Sequence, residues 1–121
     1  MRVYAGRTFF LKSRGHLWIV LTEPFDDPQT IIIVNFTTNR AGADQTVVLE
    51  TGDHPFISHS TVVSYADAKL IKVATLQALV SAGLSTFHSD CSEELLQLLR
   101  EGLLRSSFTP LWLKERGRAL F

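Results

Sequence analysis

Hydrophobic positions along this chain change their period near residue 74. Before that point they fall in short runs of the strand type. Residues 7–12 contain Phe9, Phe10 and Leu11, and Ser13-Arg14-Gly15 follows as a turn signal. Residues 16–22 read His-Leu-Trp-Ile-Val-Leu-Thr, with the β-branched and aromatic content of a buried strand. A loop at 23–28 carries Pro24, Pro28, Asp26 and Asp27, none of which suits a sheet interior. Residues 30–37, Thr-Ile-Ile-Ile-Val-Asn-Phe-Thr, make the strongest strand. Their unbroken apolar run predicts burial on both faces. A loop at 39–44 leads to a fourth strand at 45–50, turned by Thr51-Gly52-Asp53. Pro55 marks an edge or a loop, and two further strands fall at 61–65 and 69–73.

After this the spacing becomes helical. Thr75 is placed to cap a helix running through Ala82, closed by Gly83 where a left-handed residue is wanted. Asp90 followed by Glu93 resembles a capping box. Leu95, Leu96, Leu98, Leu99, Leu103 and Leu104 then form one apolar helix face. Gly102 interrupts it at a cost of about 1 kcal/mol relative to alanine. In the tail, Trp112 with Leu111 and Leu113 predicts docking on the core or on a partner. Short strands separated by turns indicate an α+β, mainly β chain: a small antiparallel barrel at about 5–74, with helices at about 75–121, in one domain.

Composition narrows the function. The 121 residues include twelve basic and twelve acidic side chains, so no global field draws the chain to nucleic acid or to a membrane. Any nucleic-acid binding must use a local patch. Cys91 is the only cysteine, which excludes an internal disulfide and suits a reducing compartment. Arg7 interrupts the N-terminus before an apolar run develops, and the run at 17–21 is far too short to span a bilayer. The expectation is a cytoplasmic chain with no membrane partner.

Candidate chemistry lies at strand ends. The histidines are His16, His54, His59 and His88, and their spacing matches no zinc pattern, so neither a metal nor another cofactor is expected. Phosphate loops and the nucleophile elbow of α/β-hydrolases are absent. His16 opens the second strand just after Arg14, while Thr37 and Thr38 close the third. Asp53, His54, His59 and Ser60 flank the next segment as a second set of candidates. Imidazole moves protons near neutral pH, and a guanidinium stabilises negative charge developing on a phosphate. Cys91, beside a helix start, reads as a small packing residue. The basic tail, with Lys114, Arg116 and Arg118, reads as a solvated face.

The order of these segments resembles the MazF/PemK-like toxin family. In that family a strand of the type Arg-Pro-Ala-Leu-Val-Leu-Ser precedes a loop and a strand ending in a Pro-Leu-Thr-Ser-like segment. Here residues 16–22 fall at the first, and Val34-Asn35-Phe36-Thr37-Thr38 at the second. Ser60-Thr61-Val62-Val63 looks like the family's later Ser-Val-Val strand, and the Leu-rich helix fits the layout. The resemblance spans roughly residues 5–105. It implies an SH3-like barrel and a metal-independent endoribonuclease of a toxin–antitoxin pair. RNA as substrate, an antitoxin protein and a homodimer would be its partners. The family's catalytic arginine falls on His16, with Arg14 two residues earlier, and its catalytic threonine falls on Thr37. Asn35 replaces a proline, and Gly52-Asp53-His54-Pro55-Phe56-Ile57 is not typical of the family. In the catalytic reading His16 is the general acid or base, Arg14 stabilises the phosphate and Thr37 positions it. The alternative is a non-enzymatic barrel that binds protein or nucleic acid.

Overall fold

The computed structural model describes residues 1–11 and 15–121. The element order is β1 (Thr8–Leu11), β2 (Leu17–Val20), β3 (Thr30–Thr38), β4 (Val48–Leu49), β5 (Thr61–Lys72), α1 (Val73–Ser81), β6 (Ser85–His88), α2 (Glu93–Arg105) and α3 (Leu111–Leu120). The strands form one antiparallel sheet in the order β4-β5-β3-β2-β1-β6. The architecture is α+β and mainly β. Strands β4 and β6 are the sheet edges and do not pair with each other among the described residues, so the sheet is open. Side chains bridge the gap instead. His54 reaches the end of β6, and the Phe56 ring lies 5.5 Å from that of Phe10 on β1.

Strand β3 is central and buried, as its apolar run predicts: Ile31 through Phe36 are each at most 3% exposed. Alternation along β3 sends its side chains to two faces. Ile32, Val34 and Phe36 join Leu17, Ile19 and Leu21 against α2 and α3, through Leu95, Leu99, Leu103 and Leu113. Ile31 and Ile33 join Phe9, Trp18 and Val20 against α1, through Val73 and Leu76.

Several elements differ from the sequence expectation. The strands expected at 61–65 and 69–73 are one strand, β5. Its register shifts between the partners of Ile33 and Asn35: Ile33 pairs with Lys69, but Asn35 pairs with Ser64. A bulge absorbs the extra residues, and the Ser64 hydroxyl donates to Asp67 Oδ2 at 2.7 Å across it. Beyond the boundary drawn at 74 and 75, β6 returns to pair with β1. Four residues between two helices are too few to show a strand period. Helix α1 starts at Val73, not Thr75, and among the described residues has no side-chain cap. The Val73 N–H is satisfied by the Gln29 carbonyl at 2.9 Å.

Gly83 ends α1 with φ +76°, as expected. Ser92 caps α2 by accepting from the Leu95 N–H at 3.1 Å, whereas Asp90 accepts from the Tyr4 hydroxyl. The tail is helical, and it docks through Leu113 and Gly117 rather than Trp112, which is 57% exposed. No described helix is long and apolar enough to cross a membrane.

Gly102 has a structural reason. A Cβ there would overlap the Tyr65 hydroxyl and lie 2.6 Å from Val47 Cγ2. The glycine brings α2 down onto β5, where Tyr65 donates to the Leu99 carbonyl at 2.8 Å. Burial pushes the Tyr65 phenol well above its ordinary value, so it stays neutral and keeps donating.

Candidate functional site

Helix α1 covers only part of its face of the sheet. Beyond Ile31 and Ile33 the same face of β3 continues with Asn35 and Thr37, and β2 contributes Trp18 opposite Asn35. His16 sits one residue before β2. Its Nδ1 lies 3.1 Å from the Phe36 carbonyl oxygen. A carbonyl only accepts, so Nδ1 carries the hydrogen and the neutral ring keeps its lone pair on Nε2. The strand ladder thus fixes the tautomer that a general base needs.

An open cleft of about 560 Å³ lies beside His16 at the strand ends. Its lining includes His16, Thr37, Thr38, Arg40, Ser58 and His59, with Phe36 and Phe56 as apolar wall. Among the described residues no carboxylate lines it. The 56–60 segment carries His59 to the cleft because β5 begins beside the end of β3, with Thr38 paired to Thr61. His59 Nε2 lies 3.1 Å from the Thr38 hydroxyl, and its Nδ1 lies 3.3 Å from that of Ser58. Two imidazoles, one guanidinium and several hydroxyls therefore share one concave surface. That set can move two protons and hold an anion.

The sequence candidates divide sharply. His16, Thr37, Thr38 and His59 come together in this cleft. Arg14 lies outside the described residues. Arg40, inside the loop expected at 39–44, supplies a described guanidinium. Its only signal was a position two residues beyond Thr38.

His54 does not belong to the cleft. It is 3% exposed, its Nδ1 accepts from the Phe56 N–H at 3.1 Å, and its Nε2 donates to the Ser89 carbonyl at 2.7 Å. Buried and outside the cleft lining, it cannot reach a substrate held there, so its expected second role in proton transfer is not supported. Burial pushes its ring below the ordinary histidine value; the Ser89 bond opposes this and the nearby His88 adds to it.

Asp53 is also a turn residue, accepting from the Glu50 N–H at 2.8 Å. Ser60 donates to Glu50 and accepts from Asn39, away from the lining side chains. At Cys91, burial, aided by Asp90, pushes the thiol up to about 12, so it is not an activated nucleophile.

A second cleft of about 410 Å³ adjoins the first, with His16 in the lining of both. Its other lining residues are Trp18, Asn35, Asp67 and Lys69. The bulge in β5 brings Asp67 and Lys69 there. Among the described residues, no three His, Cys, Asp or Glu side chains are grouped to hold a metal ion. No protein-family model, curated protein or solved structure matches the chain.

Proposed function

We propose that the cleft at His16 is the active site of a metal-independent endoribonuclease of the toxin type. In this reading the open, curled sheet is a variant of an SH3-like barrel. A second copy and an antitoxin protein are its partners in the cytoplasm. The observation that carries the reading is the convergence of His16, His59, Arg40, Thr37 and Thr38 on one surface that no carboxylate lines among the described residues.

Cleavage of RNA needs a base, an acid and a stabiliser of the phosphorane charge. His16 Nε2 takes the proton of a ribose 2′-hydroxyl, whose oxygen attacks the adjacent phosphorus. The bond from phosphorus to the 5′-oxygen breaks, and the His59 imidazolium protonates that leaving oxygen. The products are a 2′,3′-cyclic phosphate and a 5′-hydroxyl. Arg40 faces the non-bridging oxygens, and the Thr37 and Thr38 hydroxyls orient the phosphate. Thr38 also holds the His59 ring, at 3.1 Å.

The test is incubation of purified protein with single-stranded RNA in excess EDTA. Cleavage leaving cyclic-phosphate ends is expected. Loss of either histidine is expected to slow it by about 10²–10⁴-fold. Absence of cleavage, or cleavage undiminished in His16→Ala and Thr37→Ala, overturns the mechanism and leaves the non-enzymatic binding module.

A further inference from the structure

We infer that the second cleft is a nucleobase pocket that selects a keto base, guanine or uracil, next to the cleavable phosphate. This rests on the reading of the first cleft as an RNA site, because His16 lines both.

The argument starts from an anomaly in the sheet. Trp18 and Asn35 face each other across the β2–β3 ladder, and each is 3% exposed. The Trp18 indole Nε1 and the Asn35 Oδ1 are both buried without a hydrogen-bond partner among the described residues. Buried polar groups are nearly always paired, because an unmade bond costs about 1–3 kcal/mol. Here a donor and an acceptor stand orphaned on directly opposed residues, beneath a cleft.

The cover over the Trp18 ring is movable. The Lys69 ammonium lies over the Trp18 ring, 4.7 Å from its centroid, and the side chain is only half-buried. A lysine stem is flexible and can swing away to admit a planar ligand. The β-bulge is what places Lys69 and Asp67 there, opposite the point where β3 changes from Ile33 to Asn35. Bulges commonly re-aim side chains beside functional sites.

The chemistry of the occupant follows from the donor set. An indole N–H only donates, and an amide oxygen only accepts. The ligand edge must therefore offer an acceptor beside a donor. Guanine and uracil present a carbonyl oxygen next to a ring N–H. The carbonyl meets Trp18 Nε1 and the Lys69 ammonium, and the ring N–H meets Asn35 Oδ1 or the Asp67 carboxylate. Adenine and cytosine can also offer a donor, their amine, to Asn35, but the acceptor beside it is a ring nitrogen with a single lone pair, which meets only one of Trp18 Nε1 and Lys69 where a carbonyl oxygen meets both. A volume of about 410 Å³ is of the size that small-ligand sites use, about 300–1,000 Å³.

The experiment uses the indole itself. The chain has two tryptophans, so a nitrogen-15 spectrum carries two indole N–H signals, and Trp112→Phe identifies that of Trp18. The whole protein is titrated with GMP, UMP, AMP and CMP. GMP and UMP are expected to shift the Trp18 signal downfield saturably, with affinities at least about tenfold above those for AMP and CMP, the scale of one lost hydrogen bond. Asn35→Leu should remove the preference. Lys69→Met, at a half-buried site where the methionine keeps most of the apolar stem, should weaken GMP and UMP by about tenfold and tests the same pocket if Asn35→Leu misfolds. No shift with any nucleotide, or equal shifts with all four, overturns the pocket. Because binding is read without cleavage, RNA cut without base preference sinks this inference alone. A base-selective shift in a protein that never cuts RNA sinks only the nuclease.

Discussion

Strand β3 shows two different fates on its two faces. Towards α2 and α3 it presents Ile32, Val34 and Phe36, each at most 1% exposed in the larger core. Towards α1 it presents Ile31 and Ile33, and then Asn35 and Thr37, where the helix no longer covers the sheet. One face is committed to stability, and the other changes from core to site within two residues. The physical cause is length. Helix α1 has nine residues and turns away at Gly83, so it shields only the inner half of its face.

Substitutions on the covered face should cost most. Leu99→Ala is expected to destabilise the protein by about 2–5 kcal/mol, the range for a fully buried leucine. Gly102→Ala should cost about 1–3 kcal/mol or more by overpacking against Tyr65 and Val47. Urea unfolding checks both, and a near-neutral Gly102→Ala would show that α2 can lift off β5 easily.

A smaller effect tests the link that joins the sheet edges. His54 is held neutral by burial, with its value lowered in the folded state. The unfolded chain therefore binds the proton first as pH falls. The stability His54 contributes is intact above about 6.5 and is lost as pH drops from there through its folded value. Unfolding measured between pH 7.5 and 5 should show this decline, and His54→Gln should flatten it. A decline unchanged in His54→Gln would assign it elsewhere.

On the open face, stability should barely respond. Thr37→Ala is expected to change it by under about 0.5 kcal/mol while cleavage falls. Equal losses of stability and of rate would make Thr37 a core residue and erase the contrast. The smallest effect concerns Cys91. Its thiol, pushed up to about 12, should react with a thiol reagent at neutral pH only over hours. Reaction within seconds would show an exposed, activated thiolate.

Much of this arrangement was legible in the residues. The run from Thr30 to Thr37 announced a central strand, and the spacing of Leu95, Leu99 and Leu103 announced the face of α2. His16 and Thr37 were visible as neighbours because consecutive antiparallel strands bring such ends together. Strand β6 was not visible, being four residues that pair with β1, remote in sequence. Nor was the unity of β5, because Ala66, Asp67 and Ala68 read as a break until the bulge accommodates them.

The histidines show where local reading stops. His54 and His59 are five residues apart in one polar segment, and nothing near them distinguishes their roles. One packs under Ser89 and is locked; the other lies open against Thr38. The chain alone determined the central strands, the apolar faces of β3 and α2 and the nearness of His16 to Thr37 at adjacent strand ends, because these follow from periodicity and from short connections. Only the tertiary structure decided which polar residues share a cleft. Arg40, Asn35, Trp18 and Lys69 are joined by register, bulge and helix length, which long-range packing sets and no local pattern encodes.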